Sequence, residues 1–362
     1  MGYSLNKLLD LVIEENASDL HLIVGREPVV RLHGRLMPAG SALLTAADTR
    51  AMVEQICSEH KRKCFSEEGG AEFSFSYNGK ARFRVSVYKE RGNPALAIRL
   101  IPSRIMSLDE IGLPSSFKKL LERPRGLILV TGPTGCGKTT TLAAMIDHIN
   151  TNFGHHILTI EDPIEYYHHH KNSIITQRQV GEDVGTFHEA IVKGLRQDPD
   201  VIMVGEMRDL ETMGAAITAA ETGHLVFGTL HTIGAATTIT RIIDAFPPDQ
   251  QDQVRTQLSL SLVAVVTQQL LPNRDGTGRH AAFEILVVTN AVSHLIRENK
   301  IFRVDSVIQT GRQLGMTLLD DSIYELYAAG KISEETAILR AQDQDGMRKK
   351  IYGGFEAGRK RR

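Results

Sequence analysis

The segment with the most specific chemistry is a glycine-rich stretch at residues 132–139, Gly-Pro-Thr-Gly-Cys-Gly-Lys-Thr. A strand-like apolar run at 127–130 precedes it, and a helical run at 140–149 follows it. In this setting, glycines let backbone N–H groups surround phosphates, a lysine neutralises the β- and γ-phosphate charge, and a threonine hydroxyl can bind magnesium. The motif predicts ATP and Mg²⁺ as cofactors, Lys138 as a catalytic residue, Thr139 as a metal ligand, and a nucleotide site that contains Gly132, Pro133, Thr134, Gly135, Cys136, Gly137, Lys138, Thr139 and Thr140.

Polar residues also follow three other strand-like runs, as is typical where ligands bind beyond the carboxyl ends of a parallel sheet. Glu161 and Glu165 follow the second run along the chain, Glu206 follows the third and His231 the fourth. Phosphoryl transfer to water needs one group that orients or deprotonates the water and another that holds magnesium. We expect Glu165 and Glu206 to be catalytic, Glu206 also to bind the metal, Glu161 to lie in the nucleotide site, and His231 to sense the γ-phosphate. The alternative for each acid alone is a helix cap or a solvated loop residue.

The elements before the P-loop form a mixed pattern of short strands and helices. Apolar residues recur with helical spacing at residues 4–15, and Asn78-Gly79 is a pair that favours a hairpin turn. The pattern predicts an α+β module whose further elements are strands at 20–24 and 29–32, a helix at 46–58, hairpin strands at 72–77 and 80–88, and a strand at 96–101.

From residue 127 onward, continuous apolar runs alternate with helical stretches, which indicates a parallel sheet covered on both faces. Residues 291–340 contain no comparable run and predict a helical region. The predicted fold class is α/β. The predicted divisions are an N-terminal domain at 1–102, a linker at 103–125, an ATPase core with strands at 127–130, 157–160, 201–204 and 225–230 within 126–290, and a helical region with a basic tail at 291–362.

Composition narrows the function class. The chain has 362 residues, which suits two domains, and 42 basic against 43 acidic residues give no general attraction to nucleic acid. No apolar run approaches the ~20 residues of a membrane span, and the first residues lack the pattern of a signal peptide, so we expect a cytoplasmic protein without a direct membrane span. The three cysteines lack paired spacing and are expected to be free thiols.

Four segments resemble the Walker A, Asp box, Walker B and His box of the secretion ATPases: residues 132–139, 159–165, 198–209 and 222–232. The opening Ala-Ser-Asp-Leu-His-Leu at 17–22 and the short N-terminal region resemble, within that superfamily, the PilT-like type IV pilus retraction ATPases. Extension ATPases resemble the chain only partly, because they usually carry an extra N-terminal domain and a tetracysteine zinc motif.

The resemblance implies a PAS-like N-terminal domain, a RecA-like P-loop core and a homohexamer that converts ATP hydrolysis into domain rotation and pilus retraction. It implies a position at the cytoplasmic face of the inner membrane and a pilus platform protein as partner. By position, Glu165 corresponds to the water-activating glutamate, and Glu206 to the Walker B glutamate. The remaining implied nucleotide contacts are the His-box pair, His224 and His231, and N-terminal arginines, for which Arg82, Arg84 and Arg99 are the candidates.

One segment departs from the family pattern. Retraction ATPases carry a motif Ala-Ile-Arg-Asn-Leu-Ile-Arg-Glu, whereas residues 291–298 read Ala-Val-Ser-His-Leu-Ile-Arg-Glu. The departure leaves the ATPase residues intact and keeps an accessory retraction paralogue, or a related type II/IV secretion ATPase, as alternatives. A low-turnover nucleotide-binding ring and a nucleic-acid translocase are further alternatives, which the two glutamates and the near-neutral charge disfavour.

Overall fold

The computed structural model describes residues 3–32, 34–101, 104–276 and 278–359. The chain divides into two compact units, Met1–Arg104 with Glu165–Tyr167, and Ile105–Ile164 with His168–Arg362. Residues 105–121, most of the segment predicted as a linker, belong to the second unit and contribute to its core through the buried side chains Leu108, Leu113, Phe117 and Leu121. Within the described residues, no helix is both long enough and apolar enough to cross a bilayer.

The first unit is an antiparallel sheet packed against helices, as predicted for the N-terminal region. The hairpin turn is at the predicted place, because Asn78 and Gly79 both have positive φ and the Lys80 N–H donates to the Tyr77 carbonyl at 2.9 Å. The described elements, in chain order, are α1 (Leu5–Glu14), β1 (Asp19–Leu22), β2 (Val29–Leu32), β3 (Arg35–Pro38), α2 (Ala46–Ile56), α3 (Glu59–Glu68), β4 (Gly70–Tyr77), β5 (Ala81–Glu90) and β6 (Asn93–Ile101).

The strands of this sheet lie in the order β3-β2-β1-β6-β5-β4. Strand β5 shows why one face is covered, because Phe83, Val85 and Val87 are fully buried against the helices. Successive side chains of a strand point to opposite faces, so Arg82 and Arg84 lie on the other face. The arginines expected to contact phosphate therefore share the face of the sheet opposite its core.

The second unit is an α/β sandwich, and its parallel sheet confirms the predicted fold class. The described strands and helices, in chain order, are β7 (Gly126–Thr131), α4 (Lys138–Asn152), β8 (His156–Glu161), β9 (Ile174–Gln179), α5 (Phe187–Gly194), β10 (Val201–Val204), α6 (Leu210–Glu221), β11 (Leu225–Leu230), α7 (Ala235–Asp244), α8 (Gln251–Ser261), β12 (Leu262–Pro272), β13 (Arg279–Val287), α9 (Asn290–Arg297), α10 (Val304–Thr310), α11 (Leu319–Ala328), α12 (Glu334–Arg340) and α13 (Gln344–Arg359).

The strands of the second sheet lie in the order β13-β12-β7-β11-β10-β8-β9, with β13 antiparallel and the neighbours from β12 to β9 parallel. Strand β7 is central and fully buried. Its side chains alternate between the two cores, since Leu129 packs with α5 to α8 on one face and Val130 packs with α4 on the other. Because both faces are covered, the strands are continuous apolar runs, as predicted.

The helical region after β13 is present, and within the described residues its elements are helices and two 3₁₀ turns, Ile301–Arg303 and Arg312–Leu314. A separate small core joins α11, α12 and α13 to the sheet through Leu271 and Ala282. Asp321, at the start of α11, accepts hydrogen bonds from Arg312 at 2.7 Å and from Lys350 on α13. The C-terminal helices are thus held by an apolar cluster and by a buried carboxylate.

Candidate functional site

The P-loop connects the end of β7 to the start of α4, which is the strand-to-helix context that the motif requires. Its backbone approaches β12 so closely that side chains are excluded. A Cβ atom on Gly132 would lie 2.3 Å from the Gln268 carbonyl oxygen, and one on Gly137 would lie 2.9 Å from Gln268 Nε2. Both glycines also have positive φ, so glycine is required for space and for conformation.

Lys138 is the first residue of α4 and its side chain folds over the loop. Its Nζ donates hydrogen bonds to the carbonyl oxygens of Gly132 at 2.8 Å and Pro133 at 3.1 Å. Burial lowers the pKa of Lys138, and Cys136 and the Glu206 carboxylate oppose that shift. A phosphate close to this ammonium group would stabilise its charge, as expected of a P-loop lysine.

The other P-loop residues have distinct surroundings. Cys136 is buried, and burial raises the pKa of its thiol, so the thiol stays protonated at neutral pH. Thr139 and Thr140 are half-buried in the first turn of α4. Pro133 and Thr134 are exposed at the tip of the loop, where a ligand has access to the backbone.

Glu206 and His231 meet beyond the ends of neighbouring parallel strands. Glu206 follows β10 and His231 follows β11, and Glu206 Oε1 is 2.9 Å from His231 Nε2 and 2.5 Å from Arg208 Nε. Burial raises the pKa of the Glu206 carboxyl, but the Arg208 guanidinium and His231 outweigh it, so the pKa is lowered overall. Glu206 is therefore an ionised carboxylate whose charge also acts on Lys138.

These groups provide the donor types that magnesium prefers. The Thr139 hydroxyl and the Glu206 carboxylate are hard oxygen ligands, which suit Mg²⁺ better than nitrogen or sulfur ligands do. The lowered pKa keeps Glu206 in the anionic form that a metal ion requires. The residues at this edge of the sheet therefore fit the expected cofactor.

Glu161 occupies the last position of β8 and is buried within the sheet rather than exposed at its rim. Its Oε1 accepts hydrogen bonds from the Thr159 hydroxyl at 2.7 Å and from Gln177 Nε2 at 3.2 Å. These bonds fix the carboxylate against β9. Its role as a nucleotide contact stays a prediction, next to this structural role.

Glu165 belongs to the first unit, together with Tyr166 and Tyr167. The Arg82 guanidinium stacks on the Tyr167 ring, with 3.9 Å between its central carbon and the ring centroid. This cation–π contact links the segment after the Asp box to β5. The assignment of Glu165 as the water-activating base rests on the family resemblance and stays a prediction.

The two other candidate arginines are directly opposite each other on β5 and β6. Arg84 Nη2 lies 3.1 Å from a Glu72 carboxylate oxygen, and Arg99 Nε lies 2.8 Å from Asp19 Oδ1. Burial raises the Asp19 pKa, but the hydrogen bonds from Arg99 and Ser18 and the Arg99 charge together outweigh it, so the pKa is lowered overall. Acidic side chains thus hold both guanidinium groups on the outer face of the sheet.

The structure separates His224 from the P-loop. His224 precedes β11, and its carbonyl accepts a hydrogen bond from the N–H of Gly126, the first residue of β7. Its Nδ1 lies 3.0 Å from the Ala219 carbonyl at the end of α6. At ~3.3 Å per residue, the length of β7 places His224 about 20 Å from the P-loop. The role of His224 as a nucleotide contact rests on the family resemblance and stays a prediction.

Sequence reasoning missed the polar residues of β12 that support the P-loop. The Thr267 hydroxyl lies 2.8 Å from the Thr131 hydroxyl at the end of β7, and Gln268 Oε1 accepts a hydrogen bond from the Thr141 hydroxyl of α4 at 2.6 Å. Both β12 residues are buried. The signal was present, because Thr267 and Gln268 follow an apolar run at residues 262–266, as Glu206 and His231 follow theirs.

Comparisons with known proteins agree with this arrangement. The model of the family described as "Type II/IV secretion system protein" matches residues 2–337. The chain is 47% identical to a "Twitching motility protein" of Neisseria gonorrhoeae over 96% of this chain and 93% of that protein. It is 46% identical to the "Type IV pilus retractation ATPase PilT" of Pseudomonas aeruginosa over 93% of this chain and 98% of that protein. A crystal structure of the pilus retraction motor PilT with bound ADP superposes with a TM-score of 0.89 at 45% identity, covering 95% of this chain and 98% of that one.

Proposed function

Because the chain belongs to the type II/IV secretion system protein family, we propose that it is an ATPase motor that powers type IV pilus retraction. One observation carries the proposal: the P-loop lysine lies at the same sheet edge as the hydrogen-bonded pair of Glu206 and His231. A phosphate-binding loop beside an ionised carboxylate and a polar sensor is the combination that nucleotide hydrolysis requires.

Each residue of the second unit has a separate task. The P-loop N–H groups and the Lys138 ammonium hold the β- and γ-phosphates, and their charge offsets the negative charge that develops on the transferred group. Thr139 and Glu206 would hold the magnesium ion. When bound, that ion would neutralise part of the phosphate charge. His231 orients Glu206 and contacts the γ-phosphate, so it reports whether ATP or ADP is bound.

The first unit supplies the remaining groups. We assign Glu165 to the attacking water, as the general base, and Arg82, Arg84 and Arg99 to the phosphates. The support for these assignments is the match of the Asp box and of the two arginine-bearing strands to the secretion ATPases. The ion pairs of Arg84 and Arg99 restrict their side chains, which reduces the entropy lost when they bind an anion.

The proposed assembly is a homohexamer that acts at the cytoplasmic face of the inner membrane on a platform protein of the pilus. A ring turns hydrolysis in each subunit into directed motion, and the similarity to a pilus retraction motor supports this arrangement. Light scattering on the purified chain at micromolar concentration, with ATP and magnesium, is expected to give six times the monomer mass of 40.0 kDa. A strictly monomeric protein under these conditions would contradict the ring.

The function is tested in the organism that encodes the chain. Deletion of the gene is expected to leave surface pili that no longer shorten, as seen by time-lapse microscopy of labelled pili. Complementation with the wild-type gene is expected to restore shortening, whereas complementation with Lys138→Ala is not. Normal shortening in the deletion strain would refute the retraction function and leave the ATPase chemistry to be tested separately.

A second candidate function is an accessory role beside another retraction ATPase. The observation that favours it is the departure from the family motif at Ser293 and His294. If the chain is an accessory motor, pili of the deletion strain are expected to shorten without load but to stall under a lower force. Force measurement on single retracting pili therefore separates the two functions.

A further inference from the structure

Glu284 is a buried carboxylate to which the site described above gives no role. It lies on the edge strand β13 and exposes only 3% of its surface. Burying an ionisable carboxyl costs free energy unless hydrogen bonds compensate, so such a residue in a strand needs a reason. Burial is also the largest influence on its pKa, which is raised.

The position of Glu284 relates it to the nucleotide site. Glu284 is the register partner of Thr267 on β12, Thr267 is the partner of Thr131 on β7, and Thr131 is the partner of Leu230 on β11. Register partners on neighbouring strands point to the same face of a sheet. The row therefore runs across four strands. It includes Thr131, the residue before the P-loop, and Leu230, the residue before His231.

The Glu284 carboxylate contacts the loop that carries His231. Its Oε1 accepts a hydrogen bond from the backbone N–H of Ala235, the first residue of α7, at 2.7 Å. Only three residues separate Ala235 from His231. Gly234, between them, has a φ of 96°, and a Cβ there would lie in ordinary van der Waals contact with Glu284 Oε1, at 3.8 Å. The carboxylate thus fixes the end of a short loop whose other end is β11.

A second helix begins at the same carboxylate. The backbone N–H of Leu319, the first residue of α11, also interacts with Glu284 and lowers its pKa. Strand β13 is also joined to the residues just before α11, because the backbone groups of Ile285 and Thr317 exchange hydrogen bonds of 2.8 and 3.1 Å. The N-termini of two helices therefore face one carboxyl group. Their N–H groups favour its charged form, whereas burial and the charges of Asp305 and Asp320 outweigh them and raise its pKa.

We infer that Glu284 is a positioning residue that holds the His231 loop in register with the P-loop. This inference rests on the proposed ATPase function of the same site. The chain of contacts is continuous, from Glu284 to the N–H of Ala235, along the loop to His231, and from His231 to Glu206. Loss of the hydrogen bond to the Ala235 N–H frees the start of α7 and lets the imidazole leave Glu206.

The direct test is amide hydrogen exchange on the full-length chain, followed by mass spectrometry of peptides that span residues 229–240. Glu284→Gln keeps the side-chain shape but removes the charge, and is expected to speed exchange in this loop at least tenfold. The matched control is Thr186→Ala, which removes a 3.1 Å cap bond to the Glu189 N–H at the start of α5 in the same unit. The control is expected to leave the loop unchanged.

Wild-type exchange in Glu284→Gln would overturn the inference. If Glu284→Gln does not fold, Glu284→Asp is measured instead; it keeps the charge but is too short to reach Ala235, and must show the same loss of protection.

Steady-state ATP hydrolysis provides a second readout that a merely structural role would not give. Glu284→Gln is expected to lower kcat five- to twentyfold, with KM for ATP within twofold of the wild type. In a His231→Ala background the same substitution is expected to change kcat by less than twofold, because residues that act through one another are not additive. Equal losses in the two backgrounds would refute the positioning role. If the wild-type chain released no phosphate from ATP, the proposed function would fail, while the exchange measurement would still decide the role of Glu284.

Discussion

The carboxyl edge of the seven-stranded sheet and the outer surface of α9 differ in how far neighbours determine each side chain. At the sheet edge, Glu206 is paired with His231 and Arg208, and Gln268 crowds the space that side chains on Gly132 and Gly137 would need. On α9, Val292 and Ile296 are buried, but His294 is exposed and Ser293 is half-buried. The chain departs from the family pattern on α9 and not at the sheet edge.

This difference between the sheet edge and α9 indicates why the chain matches its relatives at one place and differs from them at the other. A change at the sheet edge leaves a buried partner unsatisfied or a charge uncompensated, so function constrains these positions closely. A change on the exposed side of α9 leaves the interior unaltered. The ATPase chemistry is therefore expected to depend on the sheet edge and not on the exposed side of α9, and the predictions below test this separation.

The largest effect is expected for Lys138→Ala. Removing the ammonium leaves the β- and γ-phosphate charge uncompensated in a site built to neutralise it, so turnover is expected to fall by at least ~10³-fold. The measurement is phosphate release by the purified variant, with circular dichroism to show that it folds. Lys193→Ala, which removes an exposed lysine paired with Glu189 on α5, is the control and should keep wild-type turnover. Wild-type turnover in Lys138→Ala would exclude the P-loop from the mechanism.

Glu165→Gln and Glu206→Gln come next and are expected to lower hydrolysis for different reasons while ATP still binds. An amide cannot act as a base, so Glu165→Gln is expected to lose about 10²–10⁴-fold in turnover. Glu206→Gln weakens the hold on magnesium and its water ligands, so additional magnesium is expected to restore part of its activity.

Single-turnover hydrolysis and nucleotide affinity, measured across a magnesium titration, separate the two carboxylates. Rescue is expected for Glu206→Gln and not for Glu165→Gln. Near-normal hydrolysis in Glu165→Gln would remove its assignment as the base. An identical magnesium response in both variants would show that the two residues do not divide the work as proposed.

Gln268→Leu is expected to have a moderate effect. The leucine fills similar space but leaves the buried Thr141 hydroxyl without its acceptor, which costs about 1–3 kcal/mol of the free energy of unfolding. Displacement of the P-loop is expected to lower kcat/KM about tenfold, since a small misplacement of a binding group is costly in catalysis. Urea unfolding and steady-state kinetics measure the two effects.

Two further variants sharpen this prediction. Gln257→Leu removes a comparable side chain that bonds Glu221 at the exposed surface, and is expected to change stability by less than about 0.5 kcal/mol. Thr141→Val combined with Gln268→Leu removes both partners of the buried bond and is expected to regain most of the lost stability. If the double variant is less stable than Gln268→Leu alone, the hydrogen bond is not the source of the loss.

The sequence predicted the parts of the site that depend on local chain order. The P-loop was identified because its glycines, lysine and flanking elements are contiguous. Glu206 and His231 were selected because both follow parallel strands, and the structure brings their side chains to 2.9 Å from each other. His224 does not fit the same rule, because it precedes its strand and lies at the opposite edge of the sheet, so its role as a nucleotide contact rests on the family resemblance alone and stays a prediction.

The rest depended on contacts between segments far apart in the sequence. Glu284 is a polar residue within a strand, and the sequence does not show that it is buried until the strand order is known. Strands β9, β12 and β13 were not identified for a related reason. Residues 174–179 and 279–287 mix polar and apolar types, and only pairing at the sheet edges determines that they are strands.

The smallest effect on hydrolysis is expected from restoring the family motif on α9 with Ser293→Arg and His294→Asn together. The helix is held by the Thr289 cap, by buried Val292 and Ile296, and by the Arg297 guanidinium, whose Nε lies 3.4 Å from Ser259 Oγ on α8. Neither substitution touches these contacts. The free energy of unfolding is therefore expected to change by less than about 0.5 kcal/mol, as is usual for surface substitutions.

The same double variant should also leave kcat and KM for ATP within about twofold of the wild type, because α9 contributes no group to the P-loop edge. Pilus shortening in cells is the contrasting readout. If the α9 surface transmits motion to the pilus machine, the restored motif is expected to change the shortening speed at unaltered hydrolysis. A fall in kcat of more than about fivefold in the purified variant would show instead that the α9 surface and the sheet edge are coupled, and the separation of chemistry from transmission would be wrong.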